Sequence, residues 1–232
     1  MKLIFPFFCL TLFTLTAQSQ QLIVEERKVK NEESIELSSW TARLDQDMDY
    51  CMETYESFIK EFFKIKVTKQ GKTMLVAEKA AIPELSNLRL DQRALFATET
   101  GGTAVSFTFS PGYDIHFGHD SYEEEFKKGE LFVKNFVRYH YNEFYGEKIK
   151  SIESQIKSKL NDIESNSKKI ERNKKTIADS GDDTKSQTKN EKLLRENDNY
   201  TSDSNTKRNE VSILEGDLKA ANESLRKVEA FR

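Results

Sequence analysis

The sequence predicts an α+β protein: a small, mostly antiparallel sheet packed on helices, followed by a long C-terminal antiparallel helical hairpin that forms a coiled coil. Three features of the chain point there. Residues 20–120 alternate apolar and polar side chains between turn signals, the period of half-buried strands. Two segments instead repeat apolar residues at three- and four-residue steps, the period of a helix face. Finally, Ile149, Ile156, Ile163, Ile170 and Ile177 stand one heptad apart, the spacing of a coiled-coil seam.

The order of elements follows from these periods. Leu22-Ile23-Val24 and Ser34-Ile35-Glu36-Leu37 are short strand candidates around a polar turn at Asn31-Glu32-Glu33. Leu44, Met48, Cys51, Tyr55, Phe58 and Phe62 mark the buried face of a first helix, and Asp49, Glu53 and Glu56 its solvated face. Phe63, Ile65 and Val67 alternate with lysines as a strand, Gln70-Gly71 turns, and Met74 to Ala77 returns. Ile82-Pro83 ends that strand, since proline cannot donate into a ladder. Leu88 to Thr98 is a further strand, and Gly101-Gly102 is a tight hairpin signal. Val105, Phe107 and Phe109 share one face, Ser106 and Thr108 the other. After Pro111-Gly112, Tyr113, Ile115 and Phe117 resume the alternation. The sum is a sheet of four to six strands.

A covering helix starts near Ser121, with Phe126, Phe132, Val133, Phe136, Val137 and Phe144 facing the sheet. Gly146 weakens it by about 1 kcal/mol against alanine without ending it. One helix over 122–179 would run roughly 85 Å. A polar break at Ser180-Gly181-Asp182-Asp183 follows. Folding back about a centre between Gly181 and Asp182 sets Ile170 against Leu193, Ile163 against Tyr200, Ile152 against Val211 and Ile149 against Leu214. The same centre pairs Asn173 with Asn190 and Asn166 with Asn197. The return helix outruns the projecting arm, so Leu218, Ala221, Leu225 and Val228 should come back beside the globular part. The chain thus divides into a signal segment at 1–19, a globular domain at 20–146 and a hairpin at 147–232 turning near 180–183.

Composition bounds the function. Met1-Lys2, the apolar run Leu3 to Leu15 and Ala17-Gln18-Ser19 have the pattern of an export signal cleaved after Ser19; the run is shorter than the roughly 20 residues a spanning helix needs. Cys51 alone of the two cysteines would remain, on the apolar face of a helix, as a buried unreactive thiol. The net charge of −3 and the lack of a basic stripe argue against nucleic acid. No Gly-x-Ser-x-Gly elbow, phosphate loop or His-Glu-x-x-His is present, so neither a catalytic residue nor a cofactor site is expected. The one cluster with metal-ligand chemistry is Asp114-Ile115-His116-Phe117-Gly118-His119-Asp120. On a strand Asp114 and His116 would share a face, but a structural zinc site takes about four ligands, and His140 stands apart between Tyr139 and Tyr141. No metal is expected. Asn199-Tyr200-Thr201 and Asn222-Glu223-Ser224 match the glycosylation pattern.

The arrangement resembles exported bacterial proteins of unknown function that join a small α+β domain to a C-terminal coiled coil. The resemblance rests on the helix with Tyr55-Glu56-Ser57-Phe58, the strand end Ala81-Ile82-Pro83-Glu84, the Gly101-Gly102 hairpin and the long charged helices. It implies export to the periplasm and no transferable activity. The expected function is a non-enzymatic scaffold or protein-interaction module that binds a partner, or itself, through the hairpin. One alternative is a small-molecule or metal-binding domain centred on Asp114–His119, which a pocket there would favour. Another is a holdase chaperone of the jellyfish type, although those insert the hairpin within a small β body and tend to be basic. The arm tip here also shows no apolar residues to grip clients.

Overall fold

A computed structural model describes residues 22–30, 34–181 and 183–231. The segment 1–19 expected to be an export signal, and the residues 31–33 and 182 expected in turns, lie outside the described residues. The elements run β1 (Val24–Lys30), β2 (Glu36–Leu44), α1 (Met48–Phe63), β3 (Thr68–Gln70), β4 (Met74–Ala81), β5 (Arg89–Glu99), β6 (Gly102–Ser110), α2 (Glu123–Ala178) and α3 (Thr184–Ala230). Among the described residues, six strands form one antiparallel sheet in the order β1-β2-β6-β5-β4-β3. A hairpin and a four-strand meander meet where β2 pairs with β6. Helix α1 links them across one face. Gly102 is required at the join: a Cβ there would stand 1.9 Å from the Leu44 carbonyl oxygen.

The core lies between that face and the two helices. Ala42, Leu44, Leu75, Ala94, Phe96, Val105, Phe107 and Phe109 meet Cys51, Met52, Tyr55, Phe58 and Ile59 of α1 and Phe132, Val133, Phe136 and Val137 of α2. Asp47 caps α1, accepting from the Tyr50 amide at 2.9 Å, and Lys64 ends it in the left-handed region. Phe136 makes ring contacts with Tyr55, Phe58 and Phe107 at centroid distances of 5.4, 5.7 and 5.5 Å. At Gly129 α2 lies so close to the sheet that a Cβ would stand 3.0 Å from ring atoms of Phe109 and Trp40. Trp40 donates its indole N–H to the Phe126 carbonyl at 2.7 Å.

Three sequence expectations need correction. Leu44 ends β2 rather than entering α1, and Phe63 closes α1. Ile65 and Val67 follow as irregular chain packed against the core rather than as a strand. The second correction concerns 113–117. Tyr113 and Asp114 both take φ of 57°, which turns the chain tightly; only an isolated bridge joins Gly112 to Ile115. Tyr113 is 95% exposed, while Phe117 is returned to the core beside Phe109.

The third concerns register. Helix α2 is unbroken for 56 residues, passing through the boundary drawn at 146, and α3 packs antiparallel on it. The seam is offset by one heptad from the expected pairing. Asn173 donates to Asn197 at 3.0 Å, not to Asn190, and Asn166 donates to Asp203 at 2.8 Å and Ser204 at 3.3 Å. Asn190 instead donates to Ser180 at 2.6 Å. These bonds bring Ile177 level with Leu193, Ile170 with Tyr200, Ile156 with Leu214 and Ile149 with Ala221. A heptad repeat returns the same apolar steps every seven residues, so apolar matching is degenerate by one repeat. Polar groups and the base of the arm lift that degeneracy. Lys159 pairs with Glu210, and Lys207 with Asp203 and Asp162. Asp183 caps α3, accepting from the amides of Lys185 and Ser186. Helix α3 therefore begins about two turns beyond the end of α2.

At the base, Ala221 and Val228 are buried in the domain core and Leu225 packs against it. Beyond Ile149 and Ala221 neither helix contributes to that core. Removing everything after residue 210 should therefore lower the denaturant midpoint of the globular part, as read by fluorescence of Trp40, the single tryptophan. The register has its own test. The pair Asn173→Cys/Asn197→Cys should close to a disulfide under mild oxidation, seen as a shift on a non-reducing gel, whereas Asn173→Cys/Asn190→Cys should stay reduced.

Candidate functional site

The 114–120 cluster does not converge. Asp114 is exposed on the tight turn. His116 is half-buried, its Nδ1 enclosed without a hydrogen-bond partner; burial, then the nearby Arg93 charge, lowers its pKa. His119 points elsewhere, with Nε2 2.9 Å from Glu26. Among the described residues no group of three or more His, Cys, Asp or Glu could hold a metal.

The buried polar residues lie instead where α1, α2 and the end of β2 meet. His140 is wholly buried. Its Nδ1 lies 2.7 Å from the Thr54 hydroxyl and its Nε2 2.6 Å from Gln46 Oε1. Each ring nitrogen thus has one polar partner, which satisfies a neutral imidazole with one donor and one acceptor. Burial lowers the His140 pKa to about 4. The neighbouring Cys51 is fully buried, and burial pushes its thiol up to about 12, which agrees with the expected unreactive thiol. This cluster ties helices together, and none of its residues lines the cavities described below.

The sheet face turned away from the helices is more informative. It is concave. Val29 and Lys30 of the β1 edge and Gln70, Gly71 and Met74 at the opposite edge line one cavity of about 350 Å³. In a flat six-strand sheet those edges would stand about 24 Å apart. Small side chains floor the curl. Ser39, Thr41, Ala104 and Ser106 are buried there, and the Thr41 and Ser106 hydroxyls are 2.8 Å apart. A four-charge cluster closes one end: Arg27 pairs with Glu99 at 2.9 Å and Glu25 at 2.6 Å, and Arg43 reaches both acids at 3.5 Å. The hydrogen bond from Arg27 holds the Glu99 carboxyl below its usual range. The cavity occupies the other end, with Leu37, Thr73, Leu95, Thr108 and Arg93 completing its lining.

A second groove, of about 320 Å³, lies outside α1 and α2, with Phe58, Phe62, Phe63, Leu131, Tyr139 and Arg138 in its walls. On the arm, Leu160, Leu194 and Ile213 are 51%, 53% and 67% exposed. Leu194 lies in the outer half of the hairpin, so the expectation of an arm tip without exposed apolar residues is corrected.

Sequence reasoning did not single out the concave cavity. The alternation of β5 does place Asp91, Arg93 and Leu95 on one face. Nothing in it signals that this face curls inward. No family model matches the chain, and no curated protein or solved structure matches it either.

The neutral His140 sets a pH dependence. Its folded pKa lies below the unfolded value of about 6.5, so between pH 6.5 and 4 the unfolded chain binds more protons than the folded one. Stability is then full above pH 6.5 and falls as pH drops, by roughly 3 kcal/mol by pH 4 from this residue. Urea midpoints measured across that range should fall, and His140→Gln should flatten the slope even if it lowers stability at pH 7.

Proposed function

We propose that this chain is a non-enzymatic exported protein that holds a protein partner through its helical arm. The observation that carries this is the exposure of Leu160, Leu194 and Ile213 on an otherwise charged hairpin. Burying an exposed leucine or isoleucine contributes about 1.5–3 kcal/mol, so three such residues on one arm make a contact surface of useful strength. The base of the hairpin is firm, because Ala221 and Val228 are anchored in the domain. Farther out the seam carries amide, hydroxyl and lysine layers, which fix register while contributing less than apolar layers would. The arm reads as a directed but adjustable lever on a rigid root. Among the described residues no helix is long and apolar enough to cross a membrane. The N-terminal run Met1–Ser19 supports export, and the periplasm of a bacterium is the proposed site of action.

Capture from a native envelope extract tests this. A form in which residues 157–213 are replaced by a short Gly-Ser linker keeps Ala221 and Val228 at the domain and should lose the partners that the full chain recovers. Leu160→Lys/Ile213→Lys should weaken capture by the intact arm. Equal recovery by all forms would place the binding surface elsewhere.

A further inference from the structure

The concave cavity has a chemistry that names a ligand class. Four aliphatic side chains, Val29, Leu37, Met74 and Leu95, supply apolar walls. Among the described residues the charged groups in the lining are Lys30 and Arg93, both cations, with no carboxylate beside them. Among the described residues neither cation has an acidic partner within ion-pair distance, whereas Arg27 and Arg43 at the other end of the same face each have two. The basic group near Arg93 is His116, which its environment holds toward the uncharged form. Arg93 is also firmly mounted. It lies on β5 between Val76 of β4 and Thr108 of β6, and Thr108 adds a hydroxyl to the lining. An arginine on a rigid strand, half-buried beside hydrocarbon and without a counter-ion, is arranged to take a planar anion through its paired N–H groups. The cavity volume falls at the small end of the range for ligand pockets.

We propose that the hollow of the curled sheet binds a small amphipathic monocarboxylate, with its acid on Arg93 and its hydrocarbon body between Val29, Leu37, Met74 and Leu95. Lys30 stands at the rim, across the β1–β2 ladder from Glu36, so the acid is assigned to Arg93 alone. The site is independent of the arm, so its failure and the failure of the arm proposal are separate results. The groove outside α1 and α2 has similar volume, but nothing in it selects an occupant.

The probe is sodium octanoate, titrated into the protein and followed by ¹H–¹⁵N chemical shifts. Saturable binding with a Kd of about 0.1–1 mM is expected, with perturbed amides confined to β1, β2, the β3–β4 turn, β5 and β6. Arg93→Gln should weaken it about tenfold or more, and Arg93→Lys should restore part of the loss. Trp40 fluorescence and the melting temperature verify that each variant is folded. Octan-1-ol and octylammonium on the unmodified protein give a measure that needs no variant, and both should bind at least about tenfold more weakly. The proposal is overturned by equal binding of octanoate and octylammonium. It is overturned equally by shifts centred on Phe62 and Leu131, or by no saturable response up to about 10 mM.

Discussion

The close crossing of α2 over the sheet, where Gly129 lets it settle against Trp40 and Phe109 and Phe136 inserts among Tyr55, Phe58 and Phe107, is the contact on which the other features depend. Buried aromatics contribute both area and preferred edge-to-face geometry, so the crossing fixes the helix in direction as well as position. Because α2 continues without a break, that direction becomes the direction of the arm. A long helix anchored over its first turns transmits orientation with little loss, and the globular body therefore aims the hairpin.

The arm then has to choose a register, and apolar matching leaves the choice open. Lys159, Asn166 and Asn173 occupy seam positions that a strongly associating pair would fill with leucine. Each finds a polar partner in the observed register. A buried amide without a partner costs about 1–3 kcal/mol, which is enough to disfavour a slip that strands several of them. The anchoring of Ala221 and Val228 at the base acts in the same sense, since a slip by one heptad would draw both out of the core.

The two faces of the sheet have separate tasks. One is packed with aromatic and aliphatic residues under α1 and α2. The other is floored by serine, threonine and alanine, whose small size permits tight curvature, and whose hydroxyls satisfy one another. Curvature converts a polar sheet surface into a hollow, bounded at one end by four interlocked charges and at the other by aliphatic walls and Arg93. The protein thus carries an outward lever and an inward hollow on one framework.

The sequence by itself determined the α+β class, the helical hairpin, the unbroken helix through Gly146, the buried thiol at Cys51 and the return of Val228 to the core. These follow from periodicity and chain length, which are local properties. Tertiary structure decided what local patterns leave degenerate. The heptad register was one such choice, settled by polar partners and the anchored base. The 113–117 segment was another: its alternation suits a strand, but two left-handed residues after Pro111-Gly112 turn it back, scattering Asp114, His116 and His119. The hollow containing Arg93 was the third, because the bend that brings opposite sheet edges together arises from packing across many strands and leaves no mark in any one of them.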